Sequence, residues 1–468
     1  MKGMTLRAMT QAVNGIYHGN GEDYDKEITA ITIDSRKVTE GGLFIAIKGE
    51  RSDGHDFIGQ CFEKGAACVI SEKELPDEER SYIQVESSLQ ALKDLALLYR
   101  NNLDVKVVGI TGSVGKTSTK ETISSVLSEK YRVLKTLGNF NNEIGLPLTV
   151  FRLTEDDEVA VLEMGISDFG EMDRLSKIAQ PDISVITNIG LCHLENLKTR
   201  DGILKAKTEI FNNMKPDGIA ILNGDDDKLI TVDEVNGKKP ERFGINYKDG
   251  VYAKDIENLG LSGTKFVISG LNCVDGCKDF EVTVPVPGHH MIYNALAAAC
   301  VGAALELTSA QIADGIADLK TISGRNNIIK TSKYTLIDDC YNANPVSMKA
   351  SVDVLDMAIG RKVCILGNMY ELGENEKNLH YDVGQYIGTK NIDVLITIGD
   401  LARHIAMGTD DYMETHFGSY DCEIHSFDDM EEFNMAYSSI LKDNDNILIK
   451  ASHAMKFADI VELLSKDN

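Results

Sequence analysis

The amino-acid sequence predicts an α/β fold built from three domains. Short apolar strands alternate with helical stretches along the whole chain, which is typical of parallel sheets covered by helices on both faces. The length of 468 residues suits about three domains of roughly 150 residues each. No segment recurs with a period of roughly 20–50 residues, so we do not expect a repeat protein.

Residues 1–103 are predicted to form a small N-terminal α/β domain. The segments that read as strands are "ITAITIDSRKV", "GLFIAIKG", "AACVIS" and "SYIQV". The next stretch, "SLQALKDLALLYRNN", places apolar residues at helical spacing. It is therefore predicted to be an amphipathic helix that leads into the second domain.

Residues 104–323 are predicted to form a central domain on a mostly parallel sheet. Its strands are read in "VKVVGIT", "EVAVLEMG", "ISVITNIG" and "GIAILNGDD". Residues 249–286 read as an inserted β meander. The stretch "NALAAACVGAALEL" reads as a helix whose small residues allow close packing.

Residues 324–468 are predicted to form a Rossmann-like C-terminal domain, because the strand–helix rhythm continues there. The strands are read in "KYTLIDD", "RKVCILGN", "IDVLITIGD" and "DNILIKAS". The sequence thus predicts a mixed domain, a parallel-sheet domain and a second parallel-sheet domain in succession.

The composition argues against several classes of function. The chain carries 48 basic and 73 acidic residues, a net charge of −25, whereas binding to nucleic acid needs a basic face. No apolar run reaches the ~18 residues of a membrane span, and the opening residues lack the apolar segment of a secretion signal. The nine cysteines follow no disulfide or zinc spacing. We therefore expect a cytoplasmic protein with reduced thiols that binds neither nucleic acid nor membrane.

The segment "VVGITGSVGKTSTK", residues 107–120, is predicted to bind phosphate. An apolar strand leads into a glycine turn, and Lys116 and Thr117 then open a helix. The backbone N–H groups of such a turn and the positive end of the helix face an anion, while the lysine adds a point charge. The strict form of this P-loop motif has glycine where Ile110 stands, so the loop here is a shorter version.

A tight turn between a strand and a helix would not need Lys116 and Thr117 together, so we interpret the segment as a nucleoside triphosphate site. Thr117 is placed to ligate Mg²⁺. The residues predicted to hold the nucleotide phosphates are Gly112, Ser113, Val114, Gly115, Lys116, Thr117 and Ser118.

At this point the sequence resembles a known family, the Mur ligases of peptidoglycan synthesis. The resemblance extends from about Ile28 to Leu464 and depends on ten motifs in one order. These are "DSRKVTEGGLFIAIKGERSDGHDF", "GSVGKTSTK", "GNFNNEIGLP", "EMG", "ITNIGLCHLE", "KAKTEIF", "NALAAA", "SGRN", "DDCYNANPVSM" and "GNMYELGE". Ten ordered motifs are far more specific than any single one.

The resemblance implies an ATP-dependent ligase that forms an amide bond through an acyl phosphate. Within the family, "GNMYELGE" matches the member that adds D-alanyl-D-alanine to UDP-N-acetylmuramoyl-tripeptide. The third residue of the tripeptide, lysine or diaminopimelate, stays open. We expect such an enzyme to act as a monomer.

Two residues at strand ends are predicted to be catalytic and to bind metal. Glu163 ends the apolar strand "VAVLEMG", and His193 follows the next strand. Ligands of open α/β sheets collect at the carboxyl ends of the strands. A lone histidine is more often structural, but the matched placement and the family resemblance favour a role in metal binding. Two Mg²⁺ ions are expected at this site.

Lys207 is predicted to lie on the apolar side of a helix. In "GILKAKTEIF" it is three or four positions from Ile203 and Ile210, whereas Lys205 points elsewhere. An amine on such a face is costly unless it is paired or chemically altered. The resemblance implies that Lys207 is carbamylated by CO₂ and becomes a metal ligand. The alternative is a lysine that extends to the surface.

The resemblance also implies the residues that contact the ligands. Asn294 is assigned to adenine, Arg325 to the phosphates and Asp339 to the ribose. The remaining assignments are Tyr341 and Asn344 beside the ribose, Ser35 and Arg36 at the UDP end, Asn139 and Asn142 on the muramoyl-peptide side, and Asn368 and His453 on the dipeptide side.

The third domain departs from the family pattern at the dipeptide side. Asn368 stands in "GNM" where Asp is usual, and His453 stands in "KASH" where Arg is usual. An arginine would supply a permanent charge and a bidentate partner for a carboxylate, which histidine supplies only in part.

Three alternatives remain beside the leading interpretation. A sister ligase could add a single amino acid, although the Asp-Asn-Pro-Arg string of the diaminopimelate-adding enzyme is absent. Folylpolyglutamate synthetase shares the architecture but not the first block. A non-catalytic, ligase-like nucleotide-binding protein would explain the changed third domain, but Lys116, Glu163, His193 and Lys207 argue against it.

Overall fold

The structure, a computed structural model, describes residues 1–76, 80–417 and 422–466. It contains three sheets that follow one another along the chain. The N-terminal sheet has the strand order β1-β5-β4-β3-β2, in which only β1 is antiparallel to its neighbour. Its elements are α1 (Leu6–Ala12), β1 (Ile16–His18), β2 (Ile31–Thr32), β3 (Leu43–Ile45), α2 (Ile58–Glu63), β4 (Cys68–Ser71), β5 (Tyr82–Gln84) and α3 (Ser88–Asn101).

One predicted strand of this domain is much shorter than expected. The segment "ITAITIDSRKV" contributes only the two residues of β2 to the sheet. The Asp34 carboxylate accepts a hydrogen bond from the backbone N–H of Arg36 at 3.0 Å and caps a short 3₁₀ helix, Ser35–Lys37. This side-chain cap offers the backbone an alternative to the sheet and ends the strand.

The central sheet has nine strands in the order β14-β13-β12-β11-β10-β9-β6-β8-β7. From β7 to β12 all neighbours are parallel, and β12, β13 and β14 form an antiparallel meander that extends the same sheet. Its strands are β6 (Lys106–Thr111), β7 (Val133–Lys135), β8 (Val159–Glu163), β9 (Ile183–Ile186), β10 (Ile219–Asn223), β11 (Glu241–Gly244), β12 (Val251–Asn258), β13 (Thr264–Ser269) and β14 (Asp279–Val284).

Helices cover both faces of the central sheet. Because β8 and β9 are buried along their whole length, they read as continuous apolar runs, as strands of parallel sheets do. The helices are α4 (Lys116–Ser128), α5 (Gly145–Val150), α6 (Glu171–Ala179), α7 (Leu194–Leu197), α8 (Arg200–Thr208), α9 (His290–Ala304) and α10 (Ser309–Ala317).

The C-terminal sheet has six strands in the order β15-β16-β20-β17-β18-β19, and only the edge strand β15 is antiparallel. Its elements are β15 (Asn327–Lys330), β16 (Thr335–Asp338), α11 (Pro345–Asp356), β17 (Lys362–Gly367), α12 (Glu376–Gly388), β18 (Val394–Ile398), α13 (Arg403–Phe417), β19 (Glu423–Phe427), α14 (Met430–Ile440), β20 (Asn446–Lys450) and α15 (Ala458–Lys466). The α/β fold class predicted from the sequence is confirmed.

The apolar cores join the N-terminal sheet to the central sheet more closely than either is joined to the C-terminal sheet. One continuous core includes Ile45 of β3, Leu95 of α3 and Leu162 of β8, and so joins the N-terminal sheet to the central one. The Tyr99 hydroxyl of α3 donates to the carbonyl of Leu153 in the central part at 2.6 Å. The C-terminal sheet has separate cores on its two faces. No helix in the described ranges is both long and apolar enough to cross a membrane.

Candidate active site

The glycine turn between β6 and α4 has a backbone that other residues would not adopt easily. Gly112 has φ +154°, and a Cβ added there would lie 1.9 Å from the Thr187 hydroxyl oxygen. Gly115, with φ +84°, is the N-cap of α4. A positive φ and a close neighbour both require glycine. The turn therefore leaves Lys116 and Thr117 at the start of the helix, as predicted.

The carboxyl end of β9 holds the turn in place. The Asn188 side chain accepts from the backbone N–H of Val114 at 2.9 Å and donates to the Val114 carbonyl at 2.8 Å. The Thr187 hydroxyl donates to the same carbonyl at 2.8 Å. These two residues were not predicted as part of the site, although they belong to the quoted motif "ITNIGLCHLE".

Two lysines meet at a single backbone oxygen of this turn. Lys116 Nζ donates to the carbonyl of Gly112 at 2.8 Å, and Lys207 Nζ donates to the same oxygen at 3.0 Å. Neither lysine forms an ion pair within the part of the chain that the structure describes. Two basic side chains thus converge on one neutral oxygen, an arrangement that suits the binding of an anion.

Lys207 is buried, with 1% of its surface exposed, so the alternative that it extends to the surface is excluded. Burial lowers the pKa of Lys207 to about 7, and the charge of Lys116 contributes to the shift. Burial also lowers the pKa of Lys116, whereas the Glu163 carboxylate opposes this effect. A substantial fraction of Lys207 is therefore an uncharged amine near neutral pH.

Glu163 ends β8 beside the turn, and its carboxylate is almost completely buried. Its Oε2 accepts from the Thr117 hydroxyl at 3.0 Å, and its Oε1 accepts from the Asn141 side-chain amide at 2.9 Å. Asn141 was not predicted, although it lies in the quoted motif "GNFNNEIGLP". A hydroxyl and a carboxylate side by side at a phosphate turn are oxygen ligands of the kind that Mg²⁺ prefers.

A buried lysine lies on the other side of Glu163. Lys120, with 1% of its surface exposed, places Nζ 3.8 Å from Glu163 Oε2 and 3.1 Å from Glu121 Oε1. The same ammonium donates to the carbonyl of Thr136 at 2.8 Å. A buried charge needs partners of this kind. Lys120 therefore balances the charge of Glu163 from the protein interior.

His193 follows β9 and has a positive φ of 51°. Burial lowers the pKa of its imidazole, the charges of Lys207 and Lys116 lower it further, and Glu371 and Glu171 oppose them. A lowered pKa favours the neutral imidazole, which is the form that binds a metal ion.

A metal ion at this site would depend on few protein ligands. In the described ranges, no group of three or more His, Cys, Asp or Glu side chains is arranged to hold a metal. Thr117 and Glu163 nevertheless fit Mg²⁺, because this ion keeps several waters and is commonly bound by one or two carboxylates together with substrate phosphates. Lys207 fits only as a carbamate, since an amine in its present form donates hydrogen bonds.

A cavity of about 570 Å³ lies between the central and the C-terminal sheets, with the glycine turn at one side. Most of the residues predicted to bind ATP line it. The predicted residues in its lining are Ser113, Val114, Gly115, Lys116, Thr117, Ser118, Asn139, Glu163, Asn294, Arg325, Asp339, Tyr341 and Asn344.

The C-terminal wall of this cavity combines aromatic and charged groups. The Arg325 guanidinium lies 4.1 Å from the centre of the Tyr341 ring. Asp339 Oδ2 accepts from the buried Lys450 ammonium at 2.6 Å and from the Ser351 hydroxyl. Lys450, which begins the "KASH" segment, was predicted only as an alternative, with Lys456, for binding the dipeptide carboxylate, and not as a partner of Asp339. One carboxylate oxygen of Asp339 is therefore already paired with a cation, the Lys450 ammonium.

Some predicted residues line the cavity, but their polar groups already form hydrogen bonds within the protein. The Asn294 side chain accepts from the Thr119 hydroxyl at 2.9 Å. The Asn344 side chain caps α11 by accepting from the backbone N–H of Ser347. The cavity is also lined by polar residues that were not predicted, among them Asn188, Asp225, Asp226, Asp227, His290 and Tyr293.

Asn368 lies at the end of β17 with its amide group fully occupied. It donates to Asp400 at 2.9 Å and to the Tyr370 hydroxyl at 3.3 Å, and it accepts from the backbone N–H of Ala402 at 2.8 Å. An aspartate at this position would place its carboxylate beside that of Asp400. The neutral asparagine avoids this pair of like charges and can donate a hydrogen bond to Asp400. Its contact with substrate stays a prediction.

His453 is exposed, and its ring centre lies 5.4 Å from that of Tyr341, at the border of the cavity. Asn142 lies outside the cavity, and its side chain accepts from the N–H group of Gly145 at the start of α5. Ser35 and Arg36 lie in the N-terminal domain, where Arg36 is paired with Asp34 at 2.9 Å. The structure does not bring these last three residues to the nucleotide cavity.

Comparison with known proteins identifies the family of this chain. The model described as the Mur ligase middle domain matches residues 110–302, the Mur ligase family catalytic domain matches residues 27–100, and the Mur ligase glutamate ligase domain matches residues 324–453. A Bacillus subtilis relative is 38% identical over 98% of this chain and 97% of its own length. The chain belongs to the Mur ligase family. The family expected from the motifs is thereby confirmed.

Further relatives agree with this assignment. The Bacillus subtilis protein and an Escherichia coli protein, which is 34% identical over 100% of this chain and 99% of its own length, are both named UDP-N-acetylmuramoyl-tripeptide–D-alanyl-D-alanine ligase. Among solved structures, MurF from Acinetobacter baumannii has a TM-score of 0.88 and 31% identity, covering 99% of both chains. MurF ligase from Thermotoga maritima in complex with ADP has a TM-score of 0.81 and 32% identity, covering 94% of this chain and 97% of the other.

Proposed function

We propose that this protein is an ATP-dependent ligase that joins D-alanyl-D-alanine to UDP-N-acetylmuramoyl-tripeptide in the synthesis of peptidoglycan precursors. The observation that carries the proposal is the meeting of Lys116 and Lys207 at the Gly112 carbonyl, next to the Glu163–Thr117 pair. This arrangement suits a phosphoryl transfer between two anions, whose charges must be neutralised. The names of relatives that align over nearly the full chain support the substrates.

The reaction has two steps. The carboxylate of the tripeptide attacks the γ-phosphate of ATP, which gives an acyl phosphate and ADP. The amine of the dipeptide then attacks the acyl carbon and releases phosphate. Lys116 acts where the two anions meet, and its charge is most useful in the transition state, when negative charge is concentrated there.

Two Mg²⁺ ions would be held by residues around the glycine turn. Thr117 and Glu163 suit the first ion, and Glu163, His193 and a carbamylated Lys207 suit the second. Bound Mg²⁺ supplies the positive charge that lets the phosphate and the carboxylate approach. The burial of Lys207 supports the carbamate, because an ion-paired or modified group is favoured over a free ammonium in the interior.

The remaining assignments follow the positions of the residues. Asn294, Arg325, Asp339, Tyr341 and Asn344 bind the adenosine and phosphate parts of ATP in the cavity between the two sheets. The substrate assignments are Ser35 and Arg36 for the UDP end, Asn139 and Asn142 for the muramoyl peptide, and Asn368 and His453 for the dipeptide. We divide the chain into domains at 1–103, 104–323 and 324–468, and we expect a cytoplasmic monomer.

A phosphate-release assay with a panel of acceptors tests this function. The purified protein is supplied with ATP, Mg²⁺ and a UDP-muramoyl-tripeptide that ends in lysine or in diaminopimelate. We expect phosphate release with D-alanyl-D-alanine and not with single amino acids. Release that depends on a single amino acid and a shorter UDP-substrate would instead identify a sister ligase, and no release with any acceptor would favour a non-catalytic protein.

A further inference from the structure

The loop after β17 presents a carboxylate in an unusual backbone conformation. Glu371 has φ +64° and an exposed side chain. Its carboxylate makes no hydrogen bond or ion pair with any residue that the structure describes. A left-handed backbone is uncommon for residues other than glycine, and it persists where the surroundings impose it. Such residues are often found at functional sites.

The neighbours of Glu371 fix this conformation from both sides. Met369 is buried, and its backbone N–H donates to His380 Nε2 at 2.8 Å. The Tyr370 backbone N–H donates to the Ser452 hydroxyl at 2.9 Å. Leu372, on the other side, packs against the core beneath α11 and α12. The loop is therefore anchored before and after Glu371, whose side chain is exposed.

Glu371 directly follows a residue that contacts the dipeptide side. The Tyr370 hydroxyl donates to Met455 Sδ at 3.1 Å and accepts from the Asn368 amide, so Glu371 adjoins the residues assigned to the dipeptide. The negative charge of Glu371 also opposes the lowering of the His193 pKa. Glu371 thus adjoins the dipeptide side, and its charge acts on a residue that follows β9.

The second step of the proposed reaction needs a negative group at this place. The dipeptide arrives as an ammonium ion, and its nitrogen must reach a carbon beside the phosphate turn. Lys116, whose side chain reaches the same turn, is basic, and its positive charge would repel an ammonium ion. Asp400 is a weaker candidate for binding the ammonium ion, because one of its carboxylate oxygens already accepts a hydrogen bond from Asn368 at 2.9 Å.

We propose that Glu371 binds the amino group of the incoming dipeptide and takes one proton from it. This inference rests on the proposed function. In the step, the carbon–nitrogen bond forms, the carbon–oxygen bond to phosphate breaks, and the nitrogen gives up two protons. The departing phosphate takes one proton, and Glu371 takes the other and passes it to solvent. A positioned acid–base group of this kind contributes roughly 10²–10⁴-fold to rate.

Hydroxylamine separates the two steps experimentally. It is uncharged at neutral pH and can attack an acyl phosphate without a group that binds an ammonium ion. The variant Glu371→Gln keeps the size of the side chain and removes its charge. We expect kcat/KM for D-alanyl-D-alanine to fall by roughly 100-fold or more, while phosphate release with hydroxylamine stays within about threefold of the wild type. The matched control is Glu374→Gln, an exposed glutamate of the same loop, which should change neither rate.

The other outcomes are equally informative. Equal losses with D-alanyl-D-alanine and with hydroxylamine would overturn the inference in favour of a structural role for the loop. An unchanged dipeptide rate in Glu371→Gln would also overturn it, as would finding the selective loss in Asp400→Asn instead. If the wild-type protein released phosphate with neither nucleophile, the proposed function itself would fail. If the wild-type protein released phosphate with hydroxylamine but not with D-alanyl-D-alanine, the acceptor assignment would fail, and the inference with it.

Discussion

At the scale of single residues, the burial of Lys207 next to Lys116 has a direct chemical consequence. We propose that this side chain, which is 1% exposed and shares a carbonyl with a second lysine, is carbamylated and so carries a carboxylate. We expect Lys207→Ala to be nearly inactive and to be partly rescued by formate or acetate, which can occupy the place of the carbamate. The measurement is the steady-state rate with and without the added carboxylate.

The neighbouring Lys205 provides a matched control for that experiment. It lies on the exposed side of the same helix, so Lys205→Ala should keep full activity and should not respond to formate. Full activity in Lys207→Ala would contradict the carbamate. Mass spectrometry of denatured protein is not suitable, because carbamates decompose in acid.

His453 gives a second prediction at this scale. It is exposed near Tyr341, and the ammonium of Lys450 is already taken by Asp339. If His453 faces the dipeptide carboxylate, His453→Arg should lower KM for D-alanyl-D-alanine, because arginine is always charged and binds carboxylates with two hydrogen bonds. KM for ATP should not move. An unchanged KM in His453→Arg, together with a raised KM in Lys456→Ala, would assign the carboxylate to Lys456 instead.

Several residues of the site could be predicted from the sequence, and others could not. Lys207 was recognisable because a lysine at helical spacing among apolar residues is unusual. The partners Asn188 and Lys450 look ordinary in their own segments. They matter because folding brings them to Val114 and Asp339, which lie 74 and 111 residues away in the chain. Local spacing carries no signal for contacts of this range.

At the scale of secondary-structure elements, the turn between β6 and α4 tolerates little change. A Cβ at Gly112 would lie 1.9 Å from the Thr187 hydroxyl, so Gly112→Ala must displace either the turn or the end of β9. We expect loss of ADP binding, measured by calorimetry, and a lower melting temperature. Gly59→Ala is the control, because no atom lies within 4 Å of the added Cβ in that helix. Undiminished ADP binding in Gly112→Ala would contradict the assigned role of the turn.

The strands that were most readily predicted are those buried on both faces. β6, β8 and β10 lie in mostly apolar segments, and their pattern is independent of the rest of the chain. The strands that were missed include β1 and β7, which have three residues each and lie at the edges of their sheets. β3 and β5 are equally short, but they lie in longer apolar segments that could be recognised, whereas β1 and β7 pair with one neighbouring strand only and lie in segments with little apolar pattern.

At the scale of the whole molecule, the apolar cores group the N-terminal and central sheets together and leave the C-terminal sheet separate. The N-terminal and central sheets share one apolar core, whereas the C-terminal sheet has its own. We therefore expect residues 1–323 to fold as a separate fragment with a cooperative thermal transition. This fragment should not bind ADP tightly, because Arg325, Asp339 and Tyr341 line the far side of the cavity.

A shorter fragment tests the shared core. Residues 104–323 alone would expose the apolar surface that α3 covers, and we expect aggregation or loss of the cooperative transition. A stable, monomeric fragment 104–323 would contradict the idea that the first two sheets form one folding unit. A fragment 1–323 that aggregates would contradict the independence of the C-terminal sheet.

The central claim is that the two lysines at the Gly112 carbonyl serve the ATP-driven formation of one amide bond. The most direct measurement is the mass of the product formed from UDP-N-acetylmuramoyl-tripeptide, D-alanyl-D-alanine and ATP, together with the amount of ADP. The account predicts a product equal to tripeptide plus dipeptide minus one water, with one ADP per product. It also predicts that Lys116→Ala binds the UDP-substrate but makes no product. ADP without this product, or activity of Lys116→Ala within about threefold of the wild type, under ~1 kcal/mol of barrier, would contradict it.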